Sequence, residues 1–138
     1  MKKINFLITT PSGIVYDASI DSVTIDTVAG QLTILPNHTP IIVPLKSGEV
    51  LVRNGSEEVY LSIFGGFLEV QKDSKVNIVA DEAVHVDDID EEKVKAAIAR
   101  AEELKKQKLD KASEEYARLA AVLEKEMAKL RLLRKKRR

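Results

Sequence analysis

Apolar positions in the first part of the chain come in short runs rich in Val, Ile, Leu and Thr, and the runs recur roughly every ten residues. That rhythm predicts an all-β sandwich. The runs fall at 4–9, 14–16, 22–27, 31–35, 41–45, 50–53, 59–64, 67–70 and 76–80. Turn formers separate them: Pro11-Ser12-Gly13, Ala29-Gly30, Asn54-Gly55 and Lys72-Asp73-Ser74, of which Asn54-Gly55 is a strong hairpin signal. In 23–27 and 76–78 apolar and polar side chains alternate, so those strands should have one buried and one wet face. About nine to ten short strands are expected.

The period changes after Ala83. From Asp90 onward there is neither Gly nor Pro, while Ala, Glu, Lys, Leu and Arg dominate, which predicts helix throughout. Asp87, Asp88 and Asp90 stand where an N-cap and first-turn acids favour the helix dipole. Val94, Ala97, Ile98, Ala101 and Leu104 follow at spacings of three and four, and Tyr116, Leu119, Leu123, Met127, Leu130 and Leu133 repeat the pattern. Between the stripes, around 109–113, Asp110 or Ser113 can cap a new start. Two narrow stripes on Ala-rich helices predict an antiparallel hairpin. Each side chain in them contributes about 1.5–3 kcal/mol at full burial, before ordering entropy is subtracted. Such a hairpin should be marginally stable and open for a partner with a better surface. The expected fold class is therefore β + α, with a β-sandwich over 1–86 and a C-terminal antiparallel two-helix hairpin over 87–138.

Composition narrows the chemistry. The chain has 138 residues, enough for one ordinary domain or a small one with an appendage, and 44% of them are apolar. Three Phe and three Tyr are its only aromatics, so the core must be aliphatic. The absence of Cys excludes disulfides, thiolate metal sites and a cysteine nucleophile. No run approaches the roughly 18 apolar residues of a membrane span, and the amino end, MKKINFLITTPSG, is too short in its apolar part for a secretory signal. A soluble cytoplasmic protein is expected.

The formal charge of zero hides a division. Residues 1–86 hold six Lys/Arg against ten Asp/Glu, and residues 87–138 hold sixteen against twelve. From Lys125 to the end, eight basic residues face one acid, Glu126. A helix C-terminus favours one or two cations, but Arg134-Lys135-Lys136-Arg137-Arg138 closes a helix whose other face is still leucine-rich. The bland reading is a solvated face; the sharper one is a tail that binds something acidic.

The stretch 30–50 organises the sheet half. Gly30 permits a reversal, Pro36 ends the run 31–35 by withholding a ladder donor, and Pro40 and Pro44 fence Ile41-Ile42-Val43. A loop centred on Pro36-Asn37-His38 is thereby held between two strands and projects a small fixed surface. The pattern Gly30-x-Leu32-x-Ile34-Leu35-Pro36-x-His38-x-Pro40, with Leu45 and Gly48 after it, resembles the signature of the epsilon subunit of bacterial F-type ATP synthases. Gly65-Gly66-Phe67-Leu68-Glu69-Val70 and the opening Thr10-Pro11-x-Gly13-x-Val15-Tyr16 are similar to that family too, as is the helical end, so the resemblance covers nearly the whole chain.

The resemblance implies a non-catalytic central-stalk subunit. Its sandwich would bind the gamma subunit and the rotor ring of c subunits, coupling ion-driven rotation to ATP synthesis at the cytoplasmic face of the bacterial cell membrane, peripherally and without inserting into it. Its helices would inhibit ATP hydrolysis by meeting an acidic segment of the beta subunit through Arg131, Arg134, Lys135, Lys136, Arg137 and Arg138. The loop residues Gln31 and His38 would face the rotor ring, although family members usually carry a glutamate where Gln31 stands and a glycine where Thr33 stands. No cofactor is required. Members that bind regulatory ATP have a motif similar to Ile/Leu-Asp-x-x-Arg-Ala; here Ile89 and Asp90 match, Lys93 and Val94 replace the arginine and alanine, and Arg100, Lys125 and Lys129 supply further cations. Lysine keeps the charge but lacks the planar fork, so any ATP is expected to be held weakly. The plain alternative is that Asp90 is an N-cap and Lys93 a solvated charge.

Other chemistry is thin. His38 has no acid or Cys at metal-ligand spacing, and the only other histidine is His85. Gly65-Gly66 lacks the helix and lysine of a phosphate cradle, so close backbone packing explains it better. No Ser-His-Asp or paired-carboxylate arrangement can be argued, and no active site is expected. The competing class is a nucleic-acid-binding module with a basic helical arm, which rests on the tail alone; an acidic sheet half and few stacking aromatics count against it.

Overall fold

Every predicted run becomes a strand, and a tenth joins them. The computed structural model describes residues 2–107 and 114–136. Its strands are β1 (Ile4–Thr10), β2 (Gly13–Ile20), β3 (Ser22–Thr27), β4 (Gly30–Ile34), β5 (Ile41–Pro44), β6 (Gly48–Asn54), β7 (Glu57–Phe64), β8 (Phe67–Gln71), β9 (Lys75–Val79) and β10 (Glu82–His85). They form two five-stranded sheets in the orders β2-β1-β9-β8-β5 and β10-β7-β6-β3-β4. Pairing is antiparallel except between β1 and β9. Alternation sets the faces: Ile4, Phe6 and Ile8 of β1 are buried, as are Val23 and Ile25 of β3, Val50 and Val52 of β6, and Val76 and Ile78 of β9. The core between the sheets is aliphatic, with Phe6 its one aromatic and the half-buried Tyr16 tilted against it at 5.9 Å.

Two local features depart from the expected strand limits. β2 runs to Ile20, well past the expected run 14–16, because Asp17, Ala18 and Ser19 continue its register along β1 despite weak strand propensity. β10 brings the count to the upper end of the expected nine to ten but falls in none of the nine runs: its four residues are all half-buried, so no alternation marks it, and only pairing with β7 makes it a strand.

Gly65 and Gly66 behave as a packing junction, as expected. Both have positive φ, 72° and 104°, and a Cβ on Gly66 would stand 2.0 Å from the Val79 carbonyl oxygen. The Gly66 carbonyl accepts the Leu45 N–H at 2.8 Å, which ties the β5–β6 connection to this turn.

Where the chain passes from β2 in one sheet to β3 in the other, Asp21 makes a clamp. Its carboxylate accepts the Gly55 N–H at 2.6 Å and pairs with Lys3 Nζ at 2.6 Å, while Lys3 also donates to Asn54 Oδ1 at 2.6 Å. The Gly55 amide first, and Lys3 after it, hold the Asp21 carboxyl below its ordinary value of 3.8. A carboxyl depressed in the folded state stabilises at pH above its unfolded value, and the contribution is lost as the pH falls through the folded value. Asp21→Asn should therefore melt below the parent at pH 7, with the gap closing on acidification below about pH 4. Thermal melts at several pH values check this; a gap independent of pH would mean that ionisation of Asp21 contributes nothing.

The chain divides into two compact units, Met1–Val86 and Asp87–Arg138. A 3₁₀ turn, Val86–Asp88, spans the boundary, and the second unit continues as α1 (Glu91–Gln107) and α2 (Glu114–Lys136). Asp90 is the N-cap: its carboxylate accepts the Glu92 and Lys93 N–H groups at 3.1 and 3.3 Å, and its carbonyl accepts that of Val94. Val94 and Ala101, seven residues apart and so on one side of α1, are buried. The single stripes expected on the two helices are corrected in part. Leu104 and Met127 are 40% and 44% exposed, whereas Ala128 and Leu132 are buried along with Leu123. Leu132 lies nine residues after Leu123, about 180° around the helix, so α2 is buried on two sides. The expected break at 109–113, with Asp110 or Ser113 as cap, lies outside the described residues.

Candidate functional site

The first candidate surface is the connection between β4 and β5, which crosses from one sheet to the other. Asn37 takes φ 67°, in the left-handed region that Asn tolerates better than most residues. Its N–H donates to Ser74 Oγ at 2.8 Å, and Lys2 Nζ donates to its side-chain oxygen at 2.5 Å. Ser74 belongs to the β8–β9 turn, and its carbonyl accepts the Asn5 N–H at 2.9 Å. His38 is half-buried, with Nδ1 2.7 Å from the Thr39 carbonyl. A carbonyl only accepts, so Nδ1 carries the hydrogen and Nε2 is left for a partner. Leu35 beside it is 59% exposed.

Gln31 is placed elsewhere. It pairs with Asp26 next to the Thr27–Gly30 turn, at the opposite end of β4 from His38. At about 3.3 Å per residue, Gln31 and Ile34 are already roughly 10 Å apart before the chain turns toward His38. A contact using both residues must span the length of the strand.

The second surface was not visible in the sequence. Register aligns Pro44, Phe67, Val79, Thr9 and Ile14 in one row across the first sheet. Their neighbours Leu68, Ile78 and Ile8 point into the core, so this row faces outward. Phe67 and Val79 are 40% and 41% exposed, Ile14 is 67% exposed, and Ile42 in the next row is 71% exposed. Isolated apolar side chains on a surface are ordinary; an outward row with apolar members on four of its five strands is a candidate docking face. Each member comes from a different strand, so no run betrays it.

The third surface is the hairpin. Lys105 Nζ sits 5.0 Å over the Tyr116 ring, and Lys136 pairs with Asp87 at the other end. In antiparallel helices these two contacts set the levels: Arg100 falls level with about residue 122, and Lys93 with about residue 129. Lys93 and Arg100 are seven apart on one side of α1, while Lys125 and Lys129 are four apart on one side of α2. The four cations singled out in the sequence thus share one stretch of the hairpin. Lys129 is held by Glu126 at 3.3 Å, Asp90 is engaged as the cap, and Ile89 is half-buried just before it. In the tail, Arg131 pairs with Glu124 at 3.2 Å, and Arg134, Lys135 and Lys136 form the exposed last turn of α2. Arg137 and Arg138 lie outside the described residues.

The comparisons with known proteins agree with one another. The family described as ATP synthase, delta/epsilon chain, beta-sandwich domain matches residues 3–86. A protein of Bacillus velezensis named ATP synthase epsilon chain is 39% identical over 120 residues, covering 87% of this chain and 90% of its own. This chain belongs to the ATP synthase epsilon family. The Bacillus subtilis epsilon chain is 41% identical over 103 residues, covering 75% of this chain and 77% of its own. Among solved structures, a chain of the Euglena gracilis mitochondrial ATP synthase OSCP/F1/c-ring assembly superposes with a TM-score of 0.68 at 25% identity, over 97% of this chain and 79% of that one. A chain of the Tetrahymena thermophila mitochondrial central stalk and c-ring, at 21% identity and a TM-score of 0.58, shares the fold over 98% of both chains. As an epsilon-family member the chain is a non-catalytic subunit of an ATP synthase. Among the described residues no group of His, Asp and Glu could hold a metal ion, and no helix is long and apolar enough to cross a membrane.

Proposed function

We infer that this epsilon-family chain is both the foot and the brake of the central stalk. The sandwich seats on the gamma subunit through the apolar band of Phe67, Val79, Ile14 and Ile42, and meets the rotor ring through the loop of His38, with Gln31 as a second contact at the far end of β4. Rotation driven by ions is thereby passed to the shaft. The chain works peripherally, at the cytoplasmic face of the bacterial membrane. The hairpin is the brake: released, it carries Arg131, Arg134, Lys135, Lys136, Arg137 and Arg138 to an acidic segment of the beta subunit and stops hydrolysis.

The observation that carries this reading is the contrast between a sandwich with a large sealed core and a hairpin that, among the described residues, buries only Val94, Ala101, Leu123, Ala128 and Leu132 and adds exposed ion pairs. Lys136 itself pairs with Asp87, and both side chains are about half exposed. Exposed pairs contribute only about 0–1 kcal/mol, so a partner that offers more acid can win the basic turn. ATP would favour the closed hairpin only by binding that state better, through Lys93, Arg100, Lys125 and Lys129. With lysine at three of those four positions, the nucleotide is held weakly, as a regulator and not as a required cofactor.

Titrating an epsilon-depleted catalytic head with the full chain, and with a version ending at Val86, tests this. Both should co-elute with the head, and only the full chain should slow hydrolysis. Equal inhibition by the truncated chain would remove the brake; failure of both to bind would remove the foot.

A further inference from the structure

The backbone around His38 is built differently from the rest of the sandwich. Among the described residues the non-glycine positions with positive φ are Asn37, Asp73 and Ser74, at 67°, 64° and 59°. All three meet at one point. Asn37 belongs to the β4–β5 connection and Asp73 and Ser74 to the β8–β9 turn, joined by the bond from the Asn37 N–H to Ser74 Oγ. Ser74 is 4% exposed, so its hydroxyl is a fixed internal post and not a surface group. Lys2 grips Asn37 from the amino end, and the Asn5 N–H holds the Ser74 carbonyl. Three segments far apart in sequence are thus interlocked immediately beside His38.

Left-handed conformations of non-glycine residues cost energy and persist where the surroundings over-determine them. A β4–β5 crossover needs no such device, since a longer or more flexible link would join the sheets equally well. We propose that Ser74, Asn37 and Lys2 are positioning residues that pre-organise the His38 loop for its rotor contact. The proposal rests on the reading that this loop faces the rotor ring. The brace holds Asn37 in its left-handed state, which sets the direction of the chain through His38. The Thr39 carbonyl then holds the imidazole through Nδ1. A loop that samples other states offers this surface for only part of the time, and its apparent affinity falls by that fraction. A contact that passes rotation from ring to shaft without slipping gains from a loop already in its bound shape.

The test uses the full chain assembled with the gamma subunit and captured on detergent-solubilised rotor ring. Ser74→Gly deletes the hydroxyl while keeping a residue at ease with positive φ, and Lys2→Ala trims the outer grip. His38→Ala serves as the control for the contact itself. With Ser74→Gly the Asn37 and His38 amides should lose hydrogen-exchange protection while the melting temperature of the sandwich holds. Ring affinity should fall about five- to ten-fold, the effect of one lost hydrogen bond on the competent fraction. Lys2→Ala should show a smaller loss of the same kind. If His38→Ala weakens capture while Ser74→Gly loosens the amides and leaves affinity unchanged, the loop is a contact but its bracing is irrelevant, and the proposal is overturned. If His38→Ala has no effect, the rotor-facing reading fails and the proposal falls with it. If Ser74→Gly lowers the global melting temperature, Lys2→Ala decides, since Lys2 lies outside the core: unchanged affinity with loosened amides again overturns the proposal.

Discussion

Gly66→Ala is expected to destabilise the sandwich by about 3–5 kcal/mol, a large share of the 5–15 kcal/mol that a domain of this size has in total. Two effects add. Gly66 has φ 104°, which L side chains rarely adopt, and its added Cβ would lie 2.0 Å from the Val79 carbonyl oxygen and 2.7 Å from the Ala80 Cα. Both neighbours are backbone atoms of the strand opposite, so neither can swing aside as a flexible side chain could. Relief requires Gly66 to move away from the end of β9, which strains the bond from the Leu45 N–H to the Gly66 carbonyl. The melting temperature should fall by about 15 °C or more. Gly55→Ala is the comparison: its φ is also positive, at 63°, but a Cβ there meets nothing within 4 Å, so the cost should be only about 1 kcal/mol. Equal effects at the two glycines would mean that conformation alone, and not close approach, sets the penalty at Gly66.

Replacing Arg131, Arg134, Lys135, Lys136, Arg137 and Arg138 together with Gln is expected to release hydrolysis from inhibition. Exposed ion pairs contribute about 0.3–1 kcal/mol each, so six together shift the braked state by roughly 2–6 kcal/mol, enough to take an inhibited fraction from about nine-tenths to about a quarter or less. Within the hairpin Arg131 pairs with Glu124 and Lys136 with Asp87. Asp87→Asn should therefore act in the opposite direction: it weakens the closed hairpin without touching the tail, and inhibition should deepen. Steady-state ATPase rates of the reconstituted head measure both, and raising the salt should imitate the Gln variant by screening the charges. A Gln variant that inhibits as well as the parent would show that the apolar side of α2, and not its charge, stops the head.

The class of the fold was legible because the two halves have different periods. Alternation in 23–27 and 76–78 and hairpin chemistry at Asn54-Gly55 are local, and the structure follows them. The same held for Gly65-Gly66, where two glycines at a strand junction signalled close approach. What escaped was set by neighbours distant in sequence. β10 is a strand only because β7 offers it an edge. Leu104 and Met127 fit a helical stripe and yet stand exposed, because a stripe says which residues share a side and not which side is covered.

The candidate site divides along the same line. Its residue types could be read directly: the basic tail, the capping Asp90 and the proline-fenced loop around His38 are local chemistry, fixed by side chains a few positions apart. Their assembly could not. Nothing in the spacing of positions 2, 37 and 74 brings Lys2, Asn37 and Ser74 together, and nothing in a run of residues announces a band drawn from Pro44, Phe67, Val79 and Ile14. Strand identity follows from short-range steric and hydrophobic preference, which a single chain carries in its order. Register, face and hydrogen-bond partner follow from which strands meet across the sheet, and that is decided by the whole core closing at once.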